Sequence, residues 1–187
     1  MSAIARARGR STIRLTALLA TLTAATAMLL LGPAAPARAV QLGQPMPEVL
    51  LDTPEGPRQL LSAQARLTYV DFWASWCGPC RQSFPWMNAM QAKYGASGLR
   101  IVAVSVDAKR ADADEFLVRN PATFAIAYDR AGAFAKSTDV KTMPTSLLLD
   151  HRGRVLLVHQ GFTNKDRETL EAAIAEALRD AAAGGKP

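Results

Sequence analysis

The residues of this sequence best suited to chemistry are its two cysteines, Cys77 and Cys80, which only Gly78 and Pro79 separate. Disulfide exchange needs one thiolate that attacks a disulfide and a second thiol that resolves the mixed disulfide. A bridge between these cysteines would close a very small loop, and such a bridge removes little entropy from the unfolded chain. We therefore predict that the pair is redox-active and does not serve stability.

Metal binding and an inert structural disulfide are the alternatives for this pair. A zinc site would need another cysteine pair or well-spaced histidines. The sequence offers only His151 and His159, and neither has a partner at ligand spacing. A non-catalytic metal or haem chaperone that uses the cysteines as ligands is the rival function from another class.

A thiol peroxidase is a rival among enzymes. Its attacking cysteine would lie in a Pro-x-x-x-Thr-x-x-Cys setting. Val70 and Ala74 stand at those two places before Cys77, so we expect no peroxidase.

The cysteines lie between a predicted strand and a predicted helix. Residues 67–73 form the short apolar and aromatic run of a buried strand, and residues 79–94 repeat apolar side chains at helical spacing. Gly78 allows a tight approach, and Pro79 fixes the turn near the helix start, where its missing N–H costs nothing. Cys77 would then lie near free helix N–H groups that lower its thiol pKa. Cys80, one turn further, should be more shielded and act second.

The rest of the chain predicts alternating strands and helices. An α/β sandwich with a mixed central sheet flanked by helices follows from this order, with the cysteines beyond the end of a central strand. The predicted elements are an extended arm at 40–55 with a strand at 49–51, a helical turn at 60–65, a strand at 99–106, a helix at 111–118, a strand at 124–128, a short helix at 131–137, a hairpin of 145–149 and 154–159, and a helix at 165–182.

The first 39 residues have the pattern of a secretory signal peptide. Four arginines precede an uncharged apolar run at residues 15–31, and the tripeptide Ala37-Arg38-Ala39 follows. This order predicts cleavage after Ala39 and export to the periplasm, with residues 40–187 as one domain. A retained membrane anchor at residues 15–31 is the alternative.

The basic charge of the chain belongs largely to this leader. The whole sequence has a formal net charge of +6. Without the five arginines of residues 1–39, 17 basic and 16 acidic residues remain, a net charge of +1. We therefore expect no nucleic-acid partner and no membrane-surface patch.

Residues 70–81, VDFWASWCGPCR, resemble the active-site signature of the thioredoxin superfamily. Met143, Pro144 and Thr145 resemble the cis-proline loop of that superfamily, which faces the cysteine pair and binds the substrate backbone. The leader, the proline-rich arm and an extra helix–strand unit between residues 107 and 129 make residues 42–182 similar to the exported TlpA/ResA-type branch. The resemblance implies a thioredoxin-like three-layer sandwich.

The resemblance also implies roles for the residues around the pair. Cys77 would be the attacking thiol and Cys80 the resolving thiol. Asp71 aligns with the buried acid beneath the pair, where desolvation would raise its pKa and let it relay the proton of Cys80. The alternative for Asp71 is a strand-end residue that reaches solvent.

Other residues would form the substrate-docking surface. Trp76 would shield the disulfide and, with Gly78 and Pro79, shape this surface, although simple core packing is compatible with a tryptophan there. Met143, Pro144 and Thr145 would hold a peptide strand by backbone hydrogen bonds.

Two positions differ from the residues that are typical of the thioredoxin superfamily and its TlpA/ResA-type branch. Ser83 stands where TlpA/ResA-type proteins often carry glutamate, and Ala103 stands where thioredoxin has a lysine near the buried acid. Proton handling therefore rests more heavily on Asp71.

A Gly-Pro spacer resembles that of reducing thioredoxins, so the resemblance implies a monomeric periplasmic disulfide reductase. Its substrates would be oxidised exported proteins, such as apocytochromes c or copper-site assembly proteins. A membrane electron donor of the DsbD/CcdA kind would recycle the pair. The Cys77–Cys80 disulfide would be the redox group, without an organic cofactor or a metal.

Overall fold

A computed structural model describes residues 40–184, so the predicted leader and its alternative as an anchor at 15–31 lie outside the described residues. Five strands form one sheet in the order β5-β4-β3-β6-β7, and two short strands pair separately as β1-β2. The elements are β1 (Leu50–Leu51), β2 (Arg58–Gln59), β3 (Leu67–Trp73), α1 (Cys80–Tyr94), a 3-10 turn (Gly95–Ser97), β4 (Leu99–Ser105), α2 (Arg110–Arg119), β5 (Ala125–Tyr128), α3 (Ala133–Ser137), β6 (Thr145–Asp150), β7 (Val155–Gln160) and α4 (Asp166–Ala183).

The central sheet is mixed, as the sequence predicts. β3 runs parallel to β4, and β4 runs parallel to β5. β6 is antiparallel to both β3 and β7. All seven residues of β3 are buried, because a central strand covered on both faces is shielded from water along its whole length.

Helices and loops cover both faces of this sheet, which confirms the three-layer architecture. On one face, Phe84 of α1, Phe116 of α2 and Ile174 of α4 join a single apolar cluster. On the other face, Phe134 of α3 packs with Leu51 and Leu60 of the N-terminal segment. Within residues 40–184, none of the helices is long and apolar enough to cross a membrane.

The segment after β2 differs from the prediction. The expected helical turn at residues 60–65 is wrong, since the structure has only bends and one hydrogen-bonded turn there. The Leu60 N–H bonds to the carbonyl of Val49 at 2.9 Å, and the Leu60 side chain is buried in the core. Tertiary packing therefore holds this segment against the N-terminal arm, in a pairing that local sequence did not reveal.

Candidate active site

Cys77 and Cys80 form a disulfide at the start of α1, with their Cα atoms 5.3 Å apart. Cys80 is the first residue of α1, and Pro79 precedes it with φ −60°. The N–H of Cys80 donates a hydrogen bond to Cys77 Sγ at 3.2 Å. A helix start therefore directs a donor at the sulfur of Cys77, which stabilises negative charge there.

Burial differs only slightly between the two cysteines. Cys77 is 3% exposed and Cys80 is 0% exposed. Cys77 is therefore the more exposed residue of the pair by a small margin, and the order of attack and resolution stays a prediction.

The surface around the disulfide is formed by the loop between β3 and α1. Trp76 is 69% exposed, so core packing does not explain this tryptophan. Gly78 and Pro79 are exposed as well, and a Cβ added at Gly78 would meet nothing within 4 Å. Crowding within the chain therefore does not require glycine here, and the free space is available to a docking partner.

The same loop is anchored by Asp107, a residue that sequence reasoning missed. Asp107 lies just beyond β4, is 5% exposed, and accepts hydrogen bonds from the N–H and the hydroxyl of Ser75, each at 2.9 Å. The hydroxyl of Ser105 donates a third bond to Asp107 at 3.0 Å. One feature of the sequence could have identified Asp107. It is an acid that directly follows a predicted buried strand, and side chains at such strand ends often belong to the site in α/β folds.

Met143, Pro144 and Thr145 lie at the same sheet edge as the cysteine loop. Thr145 begins β6 and pairs with Phe72, one residue before the end of β3. The Met143–Pro144 peptide bond is cis. Pro144 and Thr145 are buried and Met143 is partly buried, while the Pro144 carbonyl accepts a hydrogen bond from Gly161 at 2.7 Å.

Asp71 lies in the middle of the central strand and is 1% exposed, which excludes the alternative that it reaches solvent. Burial raises the pKa of Asp71 to about 7, although a hydrogen bond from Ser146 acts in the opposite direction. The Ser146 hydroxyl donates to Asp71 Oδ1 at 2.6 Å, and Asp71 Oδ2 has no hydrogen-bond partner among the described residues. Sequence reasoning missed Ser146, because its pairing with Asp71 depends on strand register.

The structure shows the surroundings of Ala103 and Ser83, the two residues that differ from the pattern of the TlpA/ResA-type branch and of thioredoxin. Ala103 pairs with Asp71 across β3 and β4, so the neighbour of the acid on that strand is a methyl group and not a cation. Ser83 is buried in α1 and donates to the carbonyl of Cys80 at 3.1 Å.

The part of the chain that the structure covers holds no group of three or more His, Cys, Asp or Glu side chains arranged to bind a metal. The arrangement of the site supplies two sulfurs, a helix start and one buried acid.

Comparisons with known proteins agree with this geometry. The Redoxin family matches residues 41–174. The thiol-disulfide oxidoreductase ResA of Geobacillus thermodenitrificans is 30% identical over 129 residues, which cover 68% of this chain and 74% of that protein. The ResA of Bacillus anthracis is 29% identical over 133 residues, or 71% of this chain and 76% of the relative.

Solved structures of thiol-disulfide oxidoreductases are also similar to this chain. A crystal structure described as a thiol:disulfide interchange protein DsbE, from Chlorobium tepidum, superposes with a TM-score of 0.72 and 49% identity. It covers 75% of this chain and 99% of that chain. StoA from Bacillus subtilis gives a TM-score of 0.59 at 25% identity, over 71% of this chain and 98% of that chain.

Proposed function

Because this chain belongs to the Redoxin family and is a TlpA/ResA-like thiol–disulfide oxidoreductase of thioredoxin fold, we propose that it reduces disulfides in exported proteins. The observation that carries the proposal is the hydrogen bond from the Cys80 N–H to Cys77 Sγ at 3.2 Å. This bond favours Cys77 as the thiolate that attacks.

The reaction proceeds in two exchanges. The Cys77 thiolate attacks one sulfur of a substrate disulfide, a Cys77–substrate bond forms, and the other substrate sulfur leaves as a thiolate that takes a proton. Cys80 then loses its proton and attacks Cys77 Sγ, so the Cys77–Cys80 bond forms and the second substrate thiolate leaves. Two electrons pass from the protein dithiol to the substrate.

Asp71 accepts the proton of Cys80 in the second exchange. Its side chain lies on the same face of β3 as Tyr69 and Trp73, which share an apolar cluster with Cys80. A carboxyl group with a pKa of about 7 is divided between its charged and neutral forms near neutral pH, so it can take up and release a proton there.

The substrate binds over the disulfide. Exposed Trp76, Gly78 and Pro79 offer the contact area, and an extended peptide bonds to the backbone next to Met143 and Thr145. This arrangement suits a polypeptide substrate, because the surface is open and the contacts with the main chain do not depend on sequence.

The predicted signal peptide at residues 1–39 supports action outside the cytoplasm, in the periplasm, with residues 15–31 as the anchor if the leader is retained. The substrates are oxidised cysteines of exported proteins, with apocytochromes c and copper-site assembly proteins as the leading candidates. A membrane donor of the DsbD/CcdA kind returns the electrons. The chain acts as a monomer and uses the cysteine disulfide as its redox group.

Trapping of mixed disulfides in cells tests this function. Cys80→Ala should hold its substrates covalently through Cys77, because the resolving thiol is gone. Cys77→Ala is the matched control and should trap far less. Equal trapping by both variants would contradict the assignment of attack to Cys77. Stoichiometric tight metal binding by the reduced protein, without reduction of insulin disulfides, would favour a chaperone instead.

A further inference from the structure

The cysteine loop leaves β3 in a tight turn. The N–H of Cys77 donates a hydrogen bond to the carbonyl of Ala74 at 3.0 Å, so Ser75 and Trp76 are the two central residues of this turn. Cys77 ends the turn, and α1 begins only at Cys80. The helix therefore fixes Cys80 directly, whereas the place of Cys77 depends on how firmly the turn is held.

A buried carboxylate holds this turn from within the protein. Asp107 is 5% exposed, and its two oxygens accept hydrogen bonds from the N–H and the hydroxyl of Ser75, each at 2.9 Å. Asp107 is itself held at the end of β4. The hydroxyl of Ser105 donates to its carboxylate at 3.0 Å and accepts from its N–H at 3.2 Å. The turn is thus tied through Asp107 to the neighbouring strand.

The firmness of this attachment affects the balance between the dithiol and the disulfide. Closure of the disulfide is more favourable when the chain already holds the two thiols together. In the reduced protein no covalent bond joins Cys77 to Cys80, so the turn and its bonds to Asp107 have to keep Cys77 in place. A high effective concentration of one thiol toward the other favours the disulfide and makes the dithiol a stronger reductant.

We propose that Asp107 is a positioning residue that lowers the reduction potential of the cysteine pair by holding Cys77 close to Cys80. This inference rests on the proposed exchange at these two cysteines. Asp107 acts through Ser75 and its turn, and not on the sulfur atoms. A role in stability alone would affect both redox forms equally and leave the potential unchanged, because the potential depends only on the difference between the two forms.

Equilibration with glutathione tests the inference. The protein dithiol passes two electrons and two protons to glutathione disulfide, which yields the protein disulfide and two glutathione molecules. Asp107→Ala should lower the equilibrium constant of this oxidation about tenfold, which raises the potential by about 30 mV. Ser75→Ala loses the hydroxyl bond and keeps the N–H bond, so its potential should rise by less. This milder variant carries the test if Asp107→Ala does not fold.

Asp107→Asn separates the effect of position from that of charge. Asparagine lacks the negative charge, as alanine does, but its side-chain oxygen can still accept one of the two bonds from Ser75. Positioning therefore predicts a potential between those of the wild type and Asp107→Ala. Equal shifts in Asp107→Asn and Asp107→Ala, with no shift in Ser75→Ala, would assign the effect to charge and overturn the inference.

The rate of resolution measures the proximity of the two thiols in a second way. The reduced protein is mixed with one equivalent of 5,5′-dithiobis(2-nitrobenzoate). Attack by Cys77 releases the first nitrothiobenzoate, and attack by Cys80 on the resulting mixed disulfide releases the second. Asp107→Ala should slow the second release about tenfold. The first release should change little, because it is an encounter with a small reagent.

Asp129 supplies the matched control. It lies just beyond β5, is 7% exposed, and accepts a hydrogen bond from the N–H of Ala135 at 2.8 Å. This buried carboxylate lies at the same edge of the sheet as Asp107, but the loop that it holds carries no cysteine. Asp129→Ala should lower the free energy of unfolding and leave the potential and the second release at their wild-type values.

The outcomes distinguish this inference from the proposed function. A wild-type protein that forms no disulfide with glutathione and shows no second release would overturn the exchange itself. Normal behaviour of the wild type, with the potential and the second release unchanged in Asp107→Ala, would overturn the role of Asp107 alone. Equal shifts in Asp107→Ala and Asp129→Ala would also overturn that role, because general loosening of this edge of the sheet would then be the cause.

Discussion

Asp107 accepts both hydrogen bonds that Ser75 can donate, from its N–H to Oδ2 at 2.9 Å and from its hydroxyl to Oδ1 at 2.9 Å. The pair links the loop that carries the cysteines to the residues just beyond β4. The N–H of Val106 adds a bond to the carbonyl of Trp73 at 2.9 Å. The position of Cys77 is therefore set by the neighbouring strand as well as by the helix that follows.

Asp107→Ala should lower the free energy of unfolding by about 2 kcal/mol, because it leaves the partly buried N–H of Ser75 and the buried hydroxyl of Ser105 without their acceptor. Urea denaturation of the oxidised protein measures this change. Glu176→Ala, at an exposed position of α4, should stay within about 0.5 kcal/mol of the wild type. A double-mutant cycle with Ser75→Ala should give a coupling energy well above zero, and additive losses would contradict a direct link.

Asp71 should make the stability of the oxidised protein fall as pH rises. Its pKa is raised from 3.8 to about 7 in the fold, so between these values the unfolded chain releases a proton that the folded chain keeps. Stability is then greatest below the unfolded pKa and decreases until pH passes the folded pKa. The loss amounts to about 4 kcal/mol at most, at 1.36 kcal/mol per pKa unit.

Asp71→Asn should therefore be more stable than the wild type above pH 7 and lose this advantage as pH falls toward the unfolded pKa. Urea titrations over a pH series measure the difference. Asp180→Asn, which removes one exposed carboxylate of α4, is the control. A gain in Asp71→Asn that does not change with pH would show that burial of charge is not its cause.

The sequence predicted the strands and helices of the sandwich because their apolar patterns are local. Residues 67–73, for example, match β3 (Leu67–Trp73) at both ends. The cysteine pair was predictable for the same reason, since its spacing and the helix that follows are adjacent in the chain. The buried position of Asp71 also followed from the apolar run that contains it.

The partners of Asp71 could not be read from the sequence. Ser146 lies 75 positions away, and only the register of β3 with β6 brings its hydroxyl to the acid. A shift of one residue would have turned it to the other face of the sheet. Asp107 and Ser75, 32 positions apart, depend in the same way on how β3 and β4 pair. Contacts between strands thus limited the prediction more than the strands themselves.

The reduction potential should lie near that of thioredoxin, about −270 mV, and far from that of DsbA, about −120 mV. The Gly78-Pro79 spacer is the basis for this expectation. Equilibration of the protein with glutathione redox buffers, followed by alkylation and mass measurement, gives the value. A potential near the DsbA figure would mean that the protein oxidises its substrates, and the proposed direction would be wrong.

Trp76→Ala should weaken substrate docking without weakening the fold. The side chain is 69% exposed, so its loss should change the free energy of unfolding by about 0.5 kcal/mol or less. An exposed tryptophan beside a reactive group is typical of a binding hot spot, and its removal should lower kcat/KM for insulin disulfide reduction by about tenfold. The small disulfide 5,5′-dithiobis(2-nitrobenzoate) needs little docking area, so its reaction with Cys77 should keep its rate.

Val118→Ala, at an 83% exposed position of α2, should leave both reactions unchanged. If Trp76→Ala lowered the rates with insulin and with the small disulfide equally, Trp76 would act on the reactivity of the Cys77 sulfur and not on docking. Docking area matters only for the larger substrate.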